Sequence, residues 1–425
     1  MTDLALVSPH VPPAPLPLPP PIPLRIAATG CFTGRMQAFR RIILRGALLQ
    51  LVTFGIYRFW LTTDARRYLW ANTEIGGDSL EYSGTAMELF LGFLMAIALL
   101  VPVYVLLFIG SLELGLWSQL SSAGAFAFLA VFGQYAYFRA RRYRLTRTVF
   151  RGIRFHQSGS AFAYAPRSLA WGAVTALTLG LAYPWAQASL ERYKLAHTHY
   201  GGWQGRFDGS GTRLFVRGIG LWAILMAAAV TFGVAVIQFV DLDAVLRALR
   251  DSADDSNTDL EVGMLTVLVL GVVVLAAIVY PILQAIVLRW WLDGLRIGPL
   301  TVTTTLRKRT IVGAYLRCLG YAALMMTALS MVVGLTIGAI AMITKLPDDV
   351  DELVGVGAFL VIYLVMALGV WVFYQMTIRL RVWRHAVDSI SLAGFEAIEY
   401  VRADLSQPSS AVGEGLADAL GAGGI

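Results

Sequence analysis

The stretch Thr53 to Phe90 is written twice in this chain. Thr53, Gly55, Trp60, Arg67, Tyr68, Gly76, Gly77, Gly84, Leu89 and Phe90 recur 125 positions later as Thr178, Gly180, Trp185, Arg192, Tyr193, Gly201, Gly202, Gly209, Leu214 and Phe215. The Tyr57 position breaks the match, although Tyr183 stands beside its counterpart. A gap-free recurrence of this length is an internal duplication, so the fold is modular and equivalent residues take equivalent places.

Composition says where such modules live. Of 425 residues, 57% are hydrophobic and 14% charged, more apolar surface than a water-soluble core can hide. Nearly charge-free runs cover 89–110, 123–138, 219–240, 262–288, 318–344 and 353–378. Most reach the roughly 20 residues that a spanning helix needs; the run 123–138 is short, and an earlier start would extend it. The two cysteines, Cys31 and Cys318, are too few for a disulfide framework and read as free thiols. The net charge of +7 gathers where apolar runs end, the pattern of a cytoplasmic membrane border. Membrane lipids are therefore the expected partners, and nucleic acid is not.

Residues 1–29 form a proline-rich leader, with eight prolines between Pro12 and Pro23, which cannot be helical and reads as extended or disordered. It lacks the basic start and continuous apolar core of a signal peptide. Residues 30–138 hold the first repeat and a hairpin, 139–288 the second repeat and a hairpin, and 289–403 a third hairpin with flanking strands. The Gly- and Ala-rich residues 404–425 read as a disordered tail.

Loop charge orients the crossings. Residues 139–154 carry seven arginines and no acid, whereas Asp241 to Glu261 holds seven acids against Arg247 and Arg250. If Ile42 to Trp60 and Leu169 to Ala188 both crossed, these two loops would share a side, against the positive-inside rule. Letting both segments enter and leave on the cytoplasmic face removes the conflict, and Thr53-Phe54-Gly55 and Thr178-Leu179-Gly180 are helix-weakening points suited to a reversal. The expected fold is an α-helical polytopic membrane protein. Six spanning helices form three hairpins, with two re-entrant or in-plane segments; eight plain crossings are the rival. Another phrase recurs after the crossings: Arg67-Tyr68 with Thr73 and Gly84, Arg142-Tyr143 with Thr148 and Gly159, Arg192-Tyr193 with Thr198 and Gly209. Loose alternation between threonine and glycine predicts short strands. Diverged relatives at 300–306 and 389–401 bring the expected number to five, pairing into a small cytoplasmic β layer.

Taken together, Phe32-Thr33-Gly34, Thr53-Phe54-Gly55-Ile56-Tyr57 with Trp60, Arg66-Arg67-Tyr68, Asn72-Thr73 and Tyr82-x-Gly84 resemble the signature of the YjgN family of bacterial inner-membrane proteins. The resemblance continues through Leu177-Thr178-Leu179-Gly180 and Tyr183-Pro184-Trp185, and departs in the proline leader and in Glu191, which replaces a paired arginine. It implies a multi-pass protein of the bacterial inner membrane, in a domain class of unknown function, and brings no catalytic residues.

Enzyme signatures are missing: there is no nucleophile elbow, zinc-protease helix, phosphate loop or Cys-x-x-Cys pair. No catalytic role, metal or cofactor is expected. His197 and His199 would share one face of a strand but lack a third ligand nearby. No carboxylate or cation lies mid-run in the crossings, against ion-coupled transport. The expected role is an uncoupled path or pore for a small solute or lipid, organised around the duplicated broken segment. Its candidate residues are Thr53, Gly55, Tyr57, Thr178, Gly180 and Tyr183 in the broken segments, with Gln134, Gln284 and Gln375 at the helix ends. The alternative is a non-transporting scaffold or anionic-lipid-binding protein, with Arg66, Arg67, Arg141, Arg142 and Arg192 at headgroup level. Ser330, Gly334 and Gly338 make a small-residue face suited to packing within a chain or in a homo-oligomer.

Overall fold

The structure, a computed structural model, describes residues 27–112, 116–239, 256–343, 357 and 363–402. The leader before residue 27, most of the acidic loop 241–261 and the tail lie outside the described residues.

The recurrent threonine ends a helix and begins a strand. Thr73, Thr148 and Thr198 each donate from Oγ1 to a carbonyl four residues back, on Leu69, Arg144 and Lys194, at 2.7, 2.8 and 2.8 Å. A three-residue strand follows, then a turn with a positive-φ glycine, such as Gly76 or Gly201, then a five-residue strand. Six of the ten strands arise in this way, and the strand pair at 295–304 forms the same hairpin without the threonine: β1 Ala28–Phe32, β2 Thr73–Ile75, β3 Asp78–Tyr82, β4 Thr148–Phe150, β5 Ile153–Gln157, β6 Thr198–Tyr200, β7 Trp203–Phe207, β8 Leu295–Ile297, β9 Leu300–Thr304 and β10 Ile390–Ala393. They close an antiparallel barrel, with β1 paired to both β2 and β10.

This corrects the expected fold class. The β part is a closed barrel of ten strands in hairpins rather than five strands beneath a purely helical protein. The three stretches after the Arg-Tyr phrase each contain a turn, at Gly76-Gly77 for example, and leave segments too short for a period-two pattern, while 300–306 holds the one strand Leu300–Thr304, with its partner Leu295–Ile297 just before it. In 389–401 only Ile390–Ala393 is strand, and Phe395–Tyr400 is a 3₁₀ helix.

Two helices join the strands of each unit: α1 Met36–Val52 and α2 Arg58–Ala71; α3 Ala86–Leu112 and α4 Leu116–Thr146; α5 Ala161–Leu177 and α6 Tyr183–Ala196; α7 Gly211–Phe239 and α8 Ser256–Gly294; α9 Lys308–Ile343 and α10 Tyr363–Asp388. The chain is thus five strand–helix–helix–strand units, each with its own two strands paired. The match at a spacing of 125 residues relates the first unit to the third and the start of the second to the start of the fourth. At the fourth residue of every unit's first helix stand Phe39, Leu89, Tyr164, Leu214 and Ile311, all at most 2% exposed, the anchor of that helix against the barrel end.

Both helices of every unit stand at one end of the barrel and the hairpin turns lie at the other, where the 3₁₀ helix also enters. Ala28, Phe150, Tyr200, Leu300, Val302 and Leu392 fill the barrel, joined by Phe395 and Ile398 of the 3₁₀ helix. A barrel of about eight strands is just filled by its own side chains, so ten leave room for this plug. The Phe395 ring lies where a Cβ on Gly76 would be, the Arg402 carbonyl lies against Gly201, and the Arg151 guanidinium sits 5.0 Å above the Phe395 ring.

The pairs α1–α2 and α5–α6 are short, 17 and 14 residues in each case, and both ends of each pair are on the barrel. Ile42 to Trp60 and Leu169 to Ala188 are therefore bent pairs of helices rather than single elements. Their apolar tips project, with Phe54 97% and Leu179 68% exposed. Five described helices, α3, α7, α8, α9 and α10, are long and apolar enough to cross a membrane, against six expected. The sixth, α4, has the length, 31 residues, but Ser118, Gln119, Ser121 and Ser122 dilute its apolar run. It is nonetheless the return limb of α3, to which it packs.

In a Cys31→Ser background, D78C and G202C, both at barrel turns, react with a membrane-impermeant maleimide from the same side. Labelling from opposite sides would contradict one barrel on one face.

Candidate functional site

The duplicated Thr-x-Gly is a helix stop followed by a restart. Thr53 Oγ1 donates to the Leu49 carbonyl at 2.8 Å and accepts from the Tyr57 N–H at 3.0 Å. Thr178 Oγ1 donates to Val174 at 2.8 Å and accepts from the Ala182 N–H at 3.1 Å. Gly55 and Gly180, at φ 88° and 90°, donate N–H bonds of 2.7 Å to the Gln50 and Thr175 carbonyls. This left-handed closure after the last helical turn is open to glycine. Both hydroxyls are thus occupied by backbone.

What surrounds the two turns differs. In the first copy the space is packed: Tyr57 stacks on Trp60, Trp60 meets Phe90, and Phe59 meets Phe93 at a centroid distance of 5.1 Å. Arg58 lies 5.6 Å above the Phe93 ring. In the second copy Trp185 meets Phe215 as expected, at 4.9 Å, but the counterpart of Phe93 is Gly218, where a Cβ would meet nothing within 4 Å. A cavity of about 260 Å³ opens there, lined by Gly180, Tyr183 and Pro184 from the turn, Gly218 and Trp222 from α7, and Leu283 from α8. The Trp222 indole N–H holds the turn by donating to the Leu179 carbonyl at 2.8 Å; its first-copy counterpart is Ile97.

The structure thus brings Gly180 and Tyr183 together at one cavity and places Thr178 in the turn beside it. Thr53, Gly55 and Tyr57 belong to the packed copy. The glutamines are on three helices, and no hydrogen bond among the described residues joins two of them. Gln134 accepts from Ser168 at 2.8 Å, and Gln375 accepts from Arg379 at 3.1 Å inside a π-helical turn, Tyr374–Arg379. Gln284 is half-buried on α8, next to Leu283.

The arginines bind the helices to the barrel. Arg67 donates to the Gly84 carbonyl at 2.9 Å and Arg192 to Gly209 at 3.2 Å, the same bond in both copies. Arg66, 6% exposed, donates to Tyr82 Oη at 3.2 Å, and Arg141 to Thr198 Oγ1 at 3.3 Å. Arg142 is half-buried on α4. The neighbouring tyrosines tie back to the start of each short pair, Tyr68 to the Arg35 carbonyl at 2.6 Å and Tyr193 to Ser160 at 3.1 Å. Cys31 is exposed on β1 and Cys318 buried on α9, both as free thiols. His199 stacks on His156 across β5 and β6 at 4.7 Å, while His197 Nδ1 faces the Tyr193 carbonyl. Among the described residues no three His, Cys, Asp or Glu side chains gather as a metal site.

Residues 28–419 match the model of a family described as bacterial protein of unknown function, DUF898. The chain belongs to this family, the YjgN-like bacterial proteins. No curated protein and no solved structure matches it. The YjgN-like signature is a structural joint. The Phe32, Tyr82 and Phe207 rings occupy the places where a Cβ on Gly34, Gly84 or Gly209 would stand, so strand can turn into helix over a ring.

The YjgN-like chain also buries a charge pair that sequence reasoning missed. Glu191 accepts from Lys194, and the Trp291 indole donates to the other carboxylate oxygen at 3.0 Å. Lys194 Nζ reaches Tyr137 Oη at 3.4 Å. The only signal was Glu191 standing where the repeat has Arg66. Burial pulls the Lys194 ammonium down, but Glu191, Tyr137 and Tyr164 outweigh burial and hold its pKa above the ordinary 10.5. Glu191→Gln leaves a buried ammonium without its counter-charge and costs about 3–5 kcal/mol, read from denaturant unfolding in detergent. Because the folded pKa is raised, the pair's contribution is complete below pH 10.5 and is lost as pH rises through the higher folded value. The E191L/K194L double variant lacks that alkaline loss.

Proposed function

We propose that this YjgN-like protein is a non-enzymatic lipid-binding protein of the bacterial inner membrane, with its barrel in the cytoplasm and one acyl chain held at the Thr178–Pro184 turn. The observation that carries this reading is Gly218 in place of Phe93: the ring that packs on Phe59 in one copy is absent from the other, where a cavity lies. The lining is apolar apart from Thr175, Tyr183 and Trp222, and it faces helices long and apolar enough to span. At about 260 Å³ the cavity lies below the roughly 300–1,000 Å³ usual for pockets that enclose a small molecule, which suits one chain rather than a whole lipid.

A solute path along the barrel axis finds no support among the described residues, since Phe395 and Ile398 fill the barrel. The arginine-rich ends of α4 and α10 beside the barrel, with Arg139, Arg141, Arg142 and Arg144 on one and Arg379, Arg381 and Arg384 on the other, support the cytoplasmic placement.

Gly218→Phe restores the packed arrangement of the first copy, and with no atom within 4 Å of its Cβ the new side chain enters open space. Native mass spectrometry of protein released from membranes should show about one fewer bound phospholipid in G218F than in wild type. Equal lipid occupancy in the two proteins would refute the reading.

A further inference from the structure

A chain leaving the bilayer for an apolar cavity gains little, because both surroundings are apolar. Selectivity must come from the headgroup. We infer that Arg213 and Arg217 bind the phosphate of an anionic phospholipid whose chain enters the cavity beside Gly218, an inference that rests on the lipid reading above.

Comparison of two units leads to this site. In the second unit Glu88, the third residue of α3, accepts from Arg147 Nη2 at 2.9 Å and Nε at 3.1 Å, and from Tyr143 Oη at 2.8 Å. The network closes the space between α3 and the end of α4. In the fourth unit the third residue of α7 is Arg213. Gly294, the last residue before β8, stands where Arg147 is the last before β4, and Trp290 replaces Tyr143. The Trp290 indole donates to the Ser210 carbonyl at 3.0 Å. The carboxylate has become a guanidinium and its arginine partner has been deleted. An open pocket of about 240 Å³ remains, lined by Arg213, Arg217, Trp290, Asp293, Gly294 and Arg296, together with Asp208 and Gly209.

The acids of this pocket are already engaged. Asp208 pairs with Arg206 at 2.8 Å and with Arg296 at 3.5 Å. Asp293 lies 4.0 Å from Arg289 and accepts the Thr304 N–H at 3.2 Å. Arg213 and Arg217 are exposed, and neither has a hydrogen bond or ion pair with a described residue. They are one helical turn apart on the same face, at the barrel end of a helix long and apolar enough to span. That is headgroup depth. Gly218 follows Arg217 directly, about 3.8 Å away between Cα atoms and about 100° further round the helix, so a lipid held by its phosphate at the two guanidiniums needs its chain to pass round one side of α7 to enter the cavity. Planar guanidiniums suit phosphate oxygens.

The test uses thermal shifts of the full-length protein in detergent with dihexanoylphosphatidylglycerol, dihexanoylphosphatidylcholine or inorganic phosphate. Wild type should favour the glycerol lipid over the choline lipid by on the order of tenfold in apparent affinity, as two basic side chains near an anionic surface predict, and respond least to phosphate. R213Q/R217Q should lose that preference, R213K/R217K should keep part of it, and G218F should weaken both lipids. Equal binding of the two lipids by wild type, or a preference that survives in R213Q/R217Q, overturns the headgroup site, while the chain cavity stands if G218F still weakens both. A G218F that binds both lipids normally overturns the cavity reading instead. A phosphate response as large as the lipid response makes this an anion site and overturns its assignment to a lipid.

Discussion

Closure of the barrel is the constraint on which the rest of the molecule depends. Strands of three to five residues are too short to persist singly or as isolated hairpins, and any unpaired edge would leave N–H and C=O groups without partners. The ring removes its edges by pairing β1 with β10, Ala28 opposite Leu392. The Asp388 carboxylate adds a bond of 2.8 Å from the Phe32 N–H. Closure also dictates where the helices stand. Because each unit begins and ends in paired strands, each helical pair must come back to the barrel end it left, whether it is 17 and 14 residues long or 29 and 39.

Against this near-symmetric frame, departures from symmetry carry the information about function. Positions that build the frame keep their chemistry: the buried fourth residue of each first helix in all five units, the threonine that starts a strand in the first three, and the ring beneath a glycine at Gly34, Gly84 and Gly209. Elsewhere the units diverge. Phe93 becomes Gly218, Glu88 becomes Arg213, Arg147 becomes Gly294, and Leu69 becomes Lys194. Three of these four changes surround α7, and each removes a packing or charge partner that its counterpart keeps. A frame that needs no such vacancy for stability has one where a lipid would lie.

Much of this frame was legible in the chain itself. The 125-residue duplication, the reversal at Thr53 and Thr178 and the Arg-Tyr-to-threonine phrase all recur at constant spacing, because each is a local hydrogen-bond device within a few residues. The fivefold count was not legible. The fourth and fifth units replace the phrase with Trp290 and His385, and helices of 14 to 39 residues hide any constant period. Ten strands were read as five because three stretches such as 73–82 each hide a hairpin turn, and because β1 and β8, of five and three residues, are too short to show alternation on their own. The candidate site was legible only in part. Gly180 and Tyr183 could be proposed from the broken segment, but the vacancy is made by Gly218, and glycine in an apolar helix gives no signal until its packed twin is beside it. The glutamines shared a position in their hairpins, yet that did not bring them into contact.

The plug ties the order of synthesis to the order of assembly. Chain elongation delivers β1 first and β10 with the Phe395–Tyr400 helix last, so the first strand waits through the making of every spanning helix with one neighbour instead of two. Its second neighbour and the filling of the barrel arrive within a dozen residues of each other. Every described helix of spanning length is therefore made before the barrel can close, and the 3₁₀ turn, the last of the described elements, fills the ring after them.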